Sequence, residues 1–474
     1  MFETLKKAFK VKEIRIKIWW TLLFLLLYRI GCYIPVPGIG SELLADTTLK
    51  NTSYLQIMSM MTGGSLAQGT LFAMGIGPYI NSSIIIQLLA VAIPPLERLS
   101  KQGEEGRKKI ANITRYITLL LAIIQSIGIL VSYGSTSIEK GQLVRLLAGG
   151  AAEAGKFQTF LAYVMIVLFF TAGTCITMWI GERITDHGVS NGISLLIFAG
   201  IIASAGQFFV QECTTIFGGN FDSNAKLELL RFVGYLVIIV VVFAAIVWVE
   251  LAERKISVQY AKQIKGNKMY GGQSTVIPIK VNANGVMPLI FAFSILSFPE
   301  LIFALVGWEK GSAWWSTWLG ANSRYPFYAI VLCLFIIFFA FFYSQIQFNP
   351  EDISKTIQQN GGFIPGIRPG KPTADYLKKI NDRLTLFGAI FLALLALIPT
   401  VVLNLILPAN ASSGAFSATG MLICVSVAIE FNTALESQIM MKAHKGFLKS
   451  DEDSLVRRTR RGQRHASRKT CRRS

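Results

Sequence analysis

Only three histidines occur in this 474-residue chain, His187, His444 and His465, and no metal-ligand partner lies near any of them. Six cysteines (Cys32, Cys175, Cys213, Cys333, Cys424 and Cys471) are far apart with no paired spacing, a pattern that builds neither a disulfide scaffold nor a metal site. Four of them lie in or beside apolar runs, where a thiol acts as a small apolar side chain. Carboxylates inside those runs are few, with Glu430 toward the end of the last run and Glu250 at the edge of another. No His/Asp or paired-Asp constellation exists for an intramembrane enzyme, and no cofactor is expected. What remains is surface chemistry. Two long basic segments, 254–284 and 345–383, each carry six Lys/Arg and suit an acidic partner such as ribosomal RNA or a protein. Part of that charge is plain topological charge that fixes orientation. The best-placed cation is Arg368, held forward in a Gly-Ile-Arg-Pro-Gly turn where a guanidinium suits phosphate or carboxylate. Arg254 and Lys255 come next, with Lys262, Lys265 and Lys268 behind them.

The elements that position these groups are read from hydropathy. The chain is 52% hydrophobic and 15% charged, too apolar for a soluble protein of this length. A bilayer core needs about 20 apolar residues in a helix, with ~17 as the lower limit. Ten runs qualify as candidate spans: Ile18–Ile34, Ile76–Ile93, Ile113–Val131, Phe157–Ile180, Ile193–Val210, Phe232–Val249, Gly285–Val306, Phe327–Tyr343, Leu384–Leu407 and Phe416–Leu435. With an even count both termini share one side. Of the 46 Lys/Arg, 37 lie in segments on that side and 8 on the other, while Arg29 sits inside the first span. The positive-inside rule therefore makes both termini cytoplasmic.

Five spans fall in each half, so the halves thread the membrane in opposite directions, as in inverted-topology repeats that build a site or pathway between them. The expected layout is an amino-terminal half (1–210), an outer linker (211–230), a carboxy-terminal half (231–436) and a basic cytoplasmic tail (437–474). Such halves suit a channel or an ion-coupled secondary transporter. The transporter needs charged coupling groups near mid-membrane, whereas central positions here are Ile, Gly and Ser.

Three further segments are informative. Residues 63–73, Gly-rich and too short to cross, form either a re-entrant half-helix lining a cavity or an ordinary outer loop. Alternating β-branched residues over 271–282 suggest a short hairpin strand. The stretch 457–474, with nine basic and no acidic residues, is expected to be disordered when free; it either binds RNA or anionic lipid or is an inert tail. The basic, amphipathic amino terminus (Lys6, Lys7, Lys10, Lys12, Arg15, Lys17) precedes a run followed by Pro35-Val-Pro-Gly38 rather than by a cleavage site, so the first span is expected to be retained.

Five motifs carry a resemblance: Arg29-Ile-Gly-Cys-Tyr-Ile-Pro-Val-Pro-Gly38, Phe72-Ala-Met-Gly-Ile-Gly-Pro-Tyr-Ile-Asn-Ser-Ser-Ile-Ile-Ile-Gln87, Gly188-Val-Ser-Asn-Gly-Ile-Ser-Leu-Leu-Ile-Phe-Ala-Gly200, Gln273-Ser-Thr-Val-Ile-Pro-Ile-Lys-Val-Asn282 and Gly361-Gly-Phe-Ile-Pro-Gly-Ile-Arg-Pro-Gly370. In these, in order and from about Phe2 to Leu448, the sequence resembles the bacterial SecY family. The arginine-rich end is longer and more basic than the family pattern, and nothing is carried onto it.

The resemblance implies an all-α membrane protein with ten transmembrane helices in two inverted five-helix halves around a central hourglass pore. Its function would be to pass unfolded polypeptides across the bacterial plasma membrane and release hydrophobic signal segments sideways into lipid, without catalysis. Implied partners are SecE and SecG subunits, the SecA motor, the ribosome, signal sequences with their client polypeptides, and anionic lipids. The pore ring maps to Ile76, Ile80, Ile193, Ile197, Ile290 and Ile423. Ile76/Ile80 and Ile193/Ile197 are i,i+4 pairs that each present one face, although isoleucines in spans more often meet lipid or neighbouring helices. A plug half-helix maps to about 63–73, with Gly63, Gly64, Ser65, Leu66, Leu71 and Phe72. A lateral gate maps to the second and third spans against the seventh and eighth. There the amides of Asn81, Gln87 and Gln125 either bond across the seam or satisfy one another in a packed bundle.

Overall fold

Backbone polar groups in hydrocarbon must be satisfied within their own segment, which makes helices the outcome for each apolar run. The computed structural model describes residues 2–37, 59–133, 156–218, 223–306, 314–315, 318–319, 327–406 and 420–441, with short breaks at 60, 67, 261–262, 266–267, 271–273, 283–284 and 286. Thirteen helices are followed here. The first half holds α1 (Phe2–Lys10), α2 (Lys12–Gly31), α3 (Gly77–Ala92), α4 (Pro94–Lys101), α5 (Glu104–Tyr133), α6 (Lys156–His187) and α7 (Gly192–Gly218). The second holds α8 (Ser223–Glu250), α9 (Met287–Val306), α10 (Phe327–Gln347), α11 (Pro350–Gln359), α12 (Lys371–Ile406) and α13 (Gly420–Met441).

Each of the ten expected spans coincides with a helix, and among the described residues seven of these are long and apolar enough to cross a membrane. The others are α2, which carries Arg15, Lys17 and Arg29, and the shorter apolar helices around α3 and α9. Several helices outlast their apolar runs. α7 and α8 extend to Gly218 and from Ser223, so most of the expected outer linker is helical. α12 starts at Lys371, well before the apolar run at Leu384. The physical reason is that hydropathy marks where lipid begins, whereas a helix ends at a cap or breaker. α3 shows such a start and stop: Pro78 occupies its first turn, and Ile93 (φ −107°, ψ 111°) is extended before Pro94.

Within the first half, α2 packs on α6 and α7, and α5 on α3 and α6. Within the second, α10 packs on α9 and α12, and α12 also meets α8. Among the contacts that join the halves are those of α5 with α9 and of α7 with α8. Large apolar side chains on the outer faces stay open, as with Leu120 (61% exposed), Val240 (65%) and Leu334 (64%), which is what a lipid-facing surface requires.

The protein is not wholly helical. The two long basic loops fold together into a three-stranded sheet in which β1 (Glu253–Tyr260) lies between β4 (Ser274–Lys280) and β5 (Gly362–Phe363), with a small β2 (Gln263–Lys265) and β3 (Lys268–Tyr270) hairpin at the tip. β4 is the strand expected from the alternation over 271–282. β1 and β4 run antiparallel from Glu253↔Lys280 to Gln259↔Ser274, and Gln259↔Phe363 adds the second loop. Ile256, Val258 and Ile279 pack beneath the sheet with Ile357, Ile364 and Leu377.

Candidate pore, gate and docking surfaces

All six isoleucines singled out above fall in one apolar cluster. Ile76, Ile197 and Ile423 are buried, while Ile80, Ile193 and Ile290 are partly buried against them. They come from the starts of α3, α7, α9 and α13, or from the residue just before α3 in the case of Ile76. Ile80 and Ile290 also pack on the second large core, which holds Leu289, Phe291, Leu332, Leu392 and Leu422. The six therefore mark the junction of two cores. No isoleucine side chain can form a hydrogen bond, so the six meet through shape and dispersion alone.

Beside this cluster lies the segment expected to be a half-helix. It is a run of turns from Thr62 to Ile76 instead, which corrects the expectation. The reason is its glycines: Gly63 (φ 70°) and Gly64 (φ 83°) adopt left-handed backbone that a right-handed helix cannot contain. The turns are nevertheless ordered. Ser65 Oγ donates to Thr62 O (2.9 Å), Leu71 N to Ile34 O (2.9 Å) and Val36 N to Gly69 O (3.0 Å). Ser65, Leu66 and Phe72 are buried, and Phe72 stacks on Tyr28 with ring centroids 5.8 Å apart. Helix glycines let the turns settle deeply: a Cβ on Gly200 would lie 1.9 Å from Met61 O, and one on Gly173 would lie 1.9 Å from Leu71 O.

Arg29 is the residue that motif reading undervalued. Its guanidinium lies 5.6 Å over the Tyr33 ring and against Gly63, where a Cβ would be 2.5 Å from Nη1. That Nη1 is buried with no hydrogen-bond partner among the described residues. The available signal was a lone cation inside an apolar run, which marks a functional position by default.

At the expected gate, α5 packs on α9, and Ile80, Ile84 and Leu88 of α3 line up at i,i+4,i+8 against the α9 core residues. The three amides do not join across this seam. Gln87 Nε2 donates to Ser83 Oγ (3.3 Å) in its own helix. Gln125 is 1% exposed, and neither its Oε1 nor its Nε2 has a partner among the described residues. Asn81 is half-buried on α3. The polar tie that does form is Ser82 Oγ to Thr114 O (2.8 Å), linking α3 to α5 inside one half. A glutamine needs its partner at amide reach, and among the described residues neither Gln87 nor Gln125 finds one across this seam.

Glu250, a carboxylate that ion coupling would need free, is committed: Oε2 accepts from Asn282 Nδ2 (2.9 Å) and Oε1 from Ser426 Oγ (3.1 Å). It ties α8, the foot of α9 and α13 together.

On the sheet, Arg254 and Lys255 are exposed on β1. Lys255 Nζ reaches Glu253 Oε1 at 3.4 Å, an open ion pair of little energetic weight. Arg368 is exposed in a turn fixed by Gly366 (φ 83°) and Gly370 (φ 100°), with Thr373 Oγ1 donating to Arg368 O (2.8 Å) and Ser354 Oγ to Gly370 O (2.7 Å). Lys265 and Lys268 are paired across the β2–β3 hairpin, whereas Lys262 lies outside the described residues. Because β5 pairs with β1, the two loops form a single platform.

This architecture has known counterparts. It is similar in fold to a solved protein-conducting channel, with a TM-score of 0.60 and 20% identity over 89% of this chain and 92% of that one. It is also similar to Sec61 in the canine ribosome–channel complex from the endoplasmic reticulum, with a TM-score of 0.56 and 18% identity over 89% and 92% of the two chains. The protein translocase subunit SecY of Streptomyces galbus is 39% identical over 458 residues, covering 95% of this chain and all of that protein. The subunit of the same name from Bacillus subtilis is 38% identical over 452 residues, again covering 95% of this chain. A SecY family model matches residues 70–432, and on that match and these identities the chain belongs to the SecY family.

Proposed function

We infer that this chain is the channel-forming subunit of a protein translocase, conducting unfolded polypeptides across a membrane and releasing hydrophobic segments sideways into lipid. The observation that carries the reading is the meeting of Ile76, Ile80, Ile193, Ile197, Ile290 and Ile423 at the junction of the two cores. A waist of branched aliphatics narrower than a hydrated ion dewets and blocks conduction when idle. It also offers no fixed hydrogen bond to a passing chain, so side chains of any kind can slide through.

In this reading the turns over 63–73 are the plug, seated under the ring from the outer side. The lateral gate is the seam of α3 and α5 against α9 and α10. Its largely apolar contact suits opening, because separated faces meet lipid or an apolar signal segment at little cost. The sheet platform with Arg254, Lys255 and Arg368 is the docking surface for the SecA motor or the ribosome. SecE and SecG are the accessory subunits, and anionic lipids surround the basic cytoplasmic side. The location is the bacterial plasma membrane, with both termini cytoplasmic.

Site-specific crosslinking of a stalled exported chain tests the waist. Photoreactive probes at Ile80, Ile193 and Ile423 are expected to capture the chain, and probes on outward Leu120, Val240 and Leu334 to capture lipid. Capture of lipid at all three isoleucines would overturn the reading.

A further inference from the structure

The amino-terminal helix is basic and amphipathic, and the channel reading leaves it unused. Val11 (φ −91°, ψ 113°) interrupts the helical run, so α1 is a separate helix ahead of α2. One side of α1 is docked. Thr4 Oγ1 donates to Glu436 Oε1 (3.2 Å), and Ala8, fully buried, shares a cluster with Ile14, Ile18, Val189 and Leu435. Leu435 and Glu436 belong to α13, and Val189 to the turn between α6 and α7, whose carbonyl accepts from Gln438 Nε2 (3.1 Å). The first helix of one half is thus strapped to the last helix of the other.

The other side of α1 is open. Lys6, Lys7 and Lys10 are exposed, Lys12 and Arg15 continue the row onto α2, and among them stand Phe9 (42% exposed) and Ile16 (46%). One turn further along α2, Trp19 and Trp20 are exposed at 64% and 45%, with outward Leu22 and Leu23 beyond them. Tryptophans at the end of a span sit at headgroup depth, which places α1 at the surface of the same leaflet.

We propose that α1 is an anionic-phospholipid binding element, its cations engaging headgroup phosphates while Phe9 and Ile16 enter the acyl boundary. Charge complementarity favours this occupant, since each cation held near an anionic surface raises affinity about fivefold. The alternation of Lys with exposed apolar side chains, continuous with the lipid face of α2, matches an interfacial helix rather than a phosphate-only RNA surface. Because α13 holds the helix, the lipid is bound at a strap that joins both halves. The inference requires α2 to span the membrane; it does not require a polypeptide pore.

The test uses the full chain in nanodiscs, with an environment-sensitive fluorescent amino acid at Phe9. Phosphatidylglycerol mixed into phosphatidylcholine is expected to shift emission to the blue, and high salt to reverse the shift. Lys6→Gln, Lys7→Gln and Lys10→Gln together are expected to weaken the phosphatidylglycerol response by about fivefold per cation, with the corresponding arginine variant restoring it. Docking is checked in the same background by disulfide formation between Thr4→Cys and Glu436→Cys. Equal emission in both lipids overturns the proposal, as does an undiminished response in a glutamine variant whose disulfide still forms. A shift driven by RNA in lipid-free detergent, with none from phosphatidylglycerol, overturns it in favour of RNA.

Discussion

The isoleucine junction and the sheet platform are opposite solutions to recognition. The junction gathers isoleucines from or beside four helices, and their side chains, unable to hydrogen-bond, meet only through shape. The platform gathers two loops far apart in sequence by a ladder of backbone bonds, then fixes one exposed arginine with two left-handed glycines and two hydroxyl contacts. A surface that must accept any passing chain has nothing directional on it. A surface that must hold one partner is built of directional contacts. On the proposed reading, the difference is one between an unspecific barrier and a specific dock, placed on the same bundle.

Three variants probe that contrast. The largest effect is expected at the dock: Arg368→Glu should abolish motor-driven export in a reconstituted assay while leaving membrane insertion and abundance intact. Normal export by that variant would show that the platform does not act through its arginine. At the barrier, Ile80→Ser with Ile193→Ser should raise ion leak through the closed channel by roughly tenfold or more, since hydroxyls let water wet the constriction; planar-bilayer conductance measures it, and an unchanged value refutes the ring. The smallest effect is expected at the seam, where Gln125→Leu removes a buried amide with no partner among the described residues. Relief of its desolvation should stabilise the closed bundle by about 1–3 kcal/mol, read as a higher Tm and slower release of a signal segment. A lower Tm would mean that the amide has a partner at rest.

Much of this was legible in the residues. Hydropathy located a helix at each expected span because lipid imposes a local rule, and alternation over 271–282 located β4 because the two faces of a strand are also set locally. The isoleucines were reached through motifs, and the fold brings them together; that they line a conduit is a matter for crosslinking. What eluded reading was in part non-local. Nothing in Gly362–Phe363 announces that it will pair with Gln259–Tyr260, a hundred residues earlier. Gln87 looked like a partner across the seam, yet Ser83 one turn away is nearer. Residues 63–73 have the length and depth that suit a half-helix, whereas their glycines dictate turns. Arg29 was counted as a charge, and only the fold shows it set against Gly63.

The pairing of β5 with β1 has a mechanical consequence. β1 follows directly from α8, and β4 leads back through Val281, whose amide bonds Ala252 O, toward α9. On the proposed reading, a motor gripping the Arg368 turn would pull on a stiff crossbar whose far end is the foot of the helix facing α5 across the seam. Grip outside and parting within would then be one stroke, with engagement of the engine beginning to unlatch the side door.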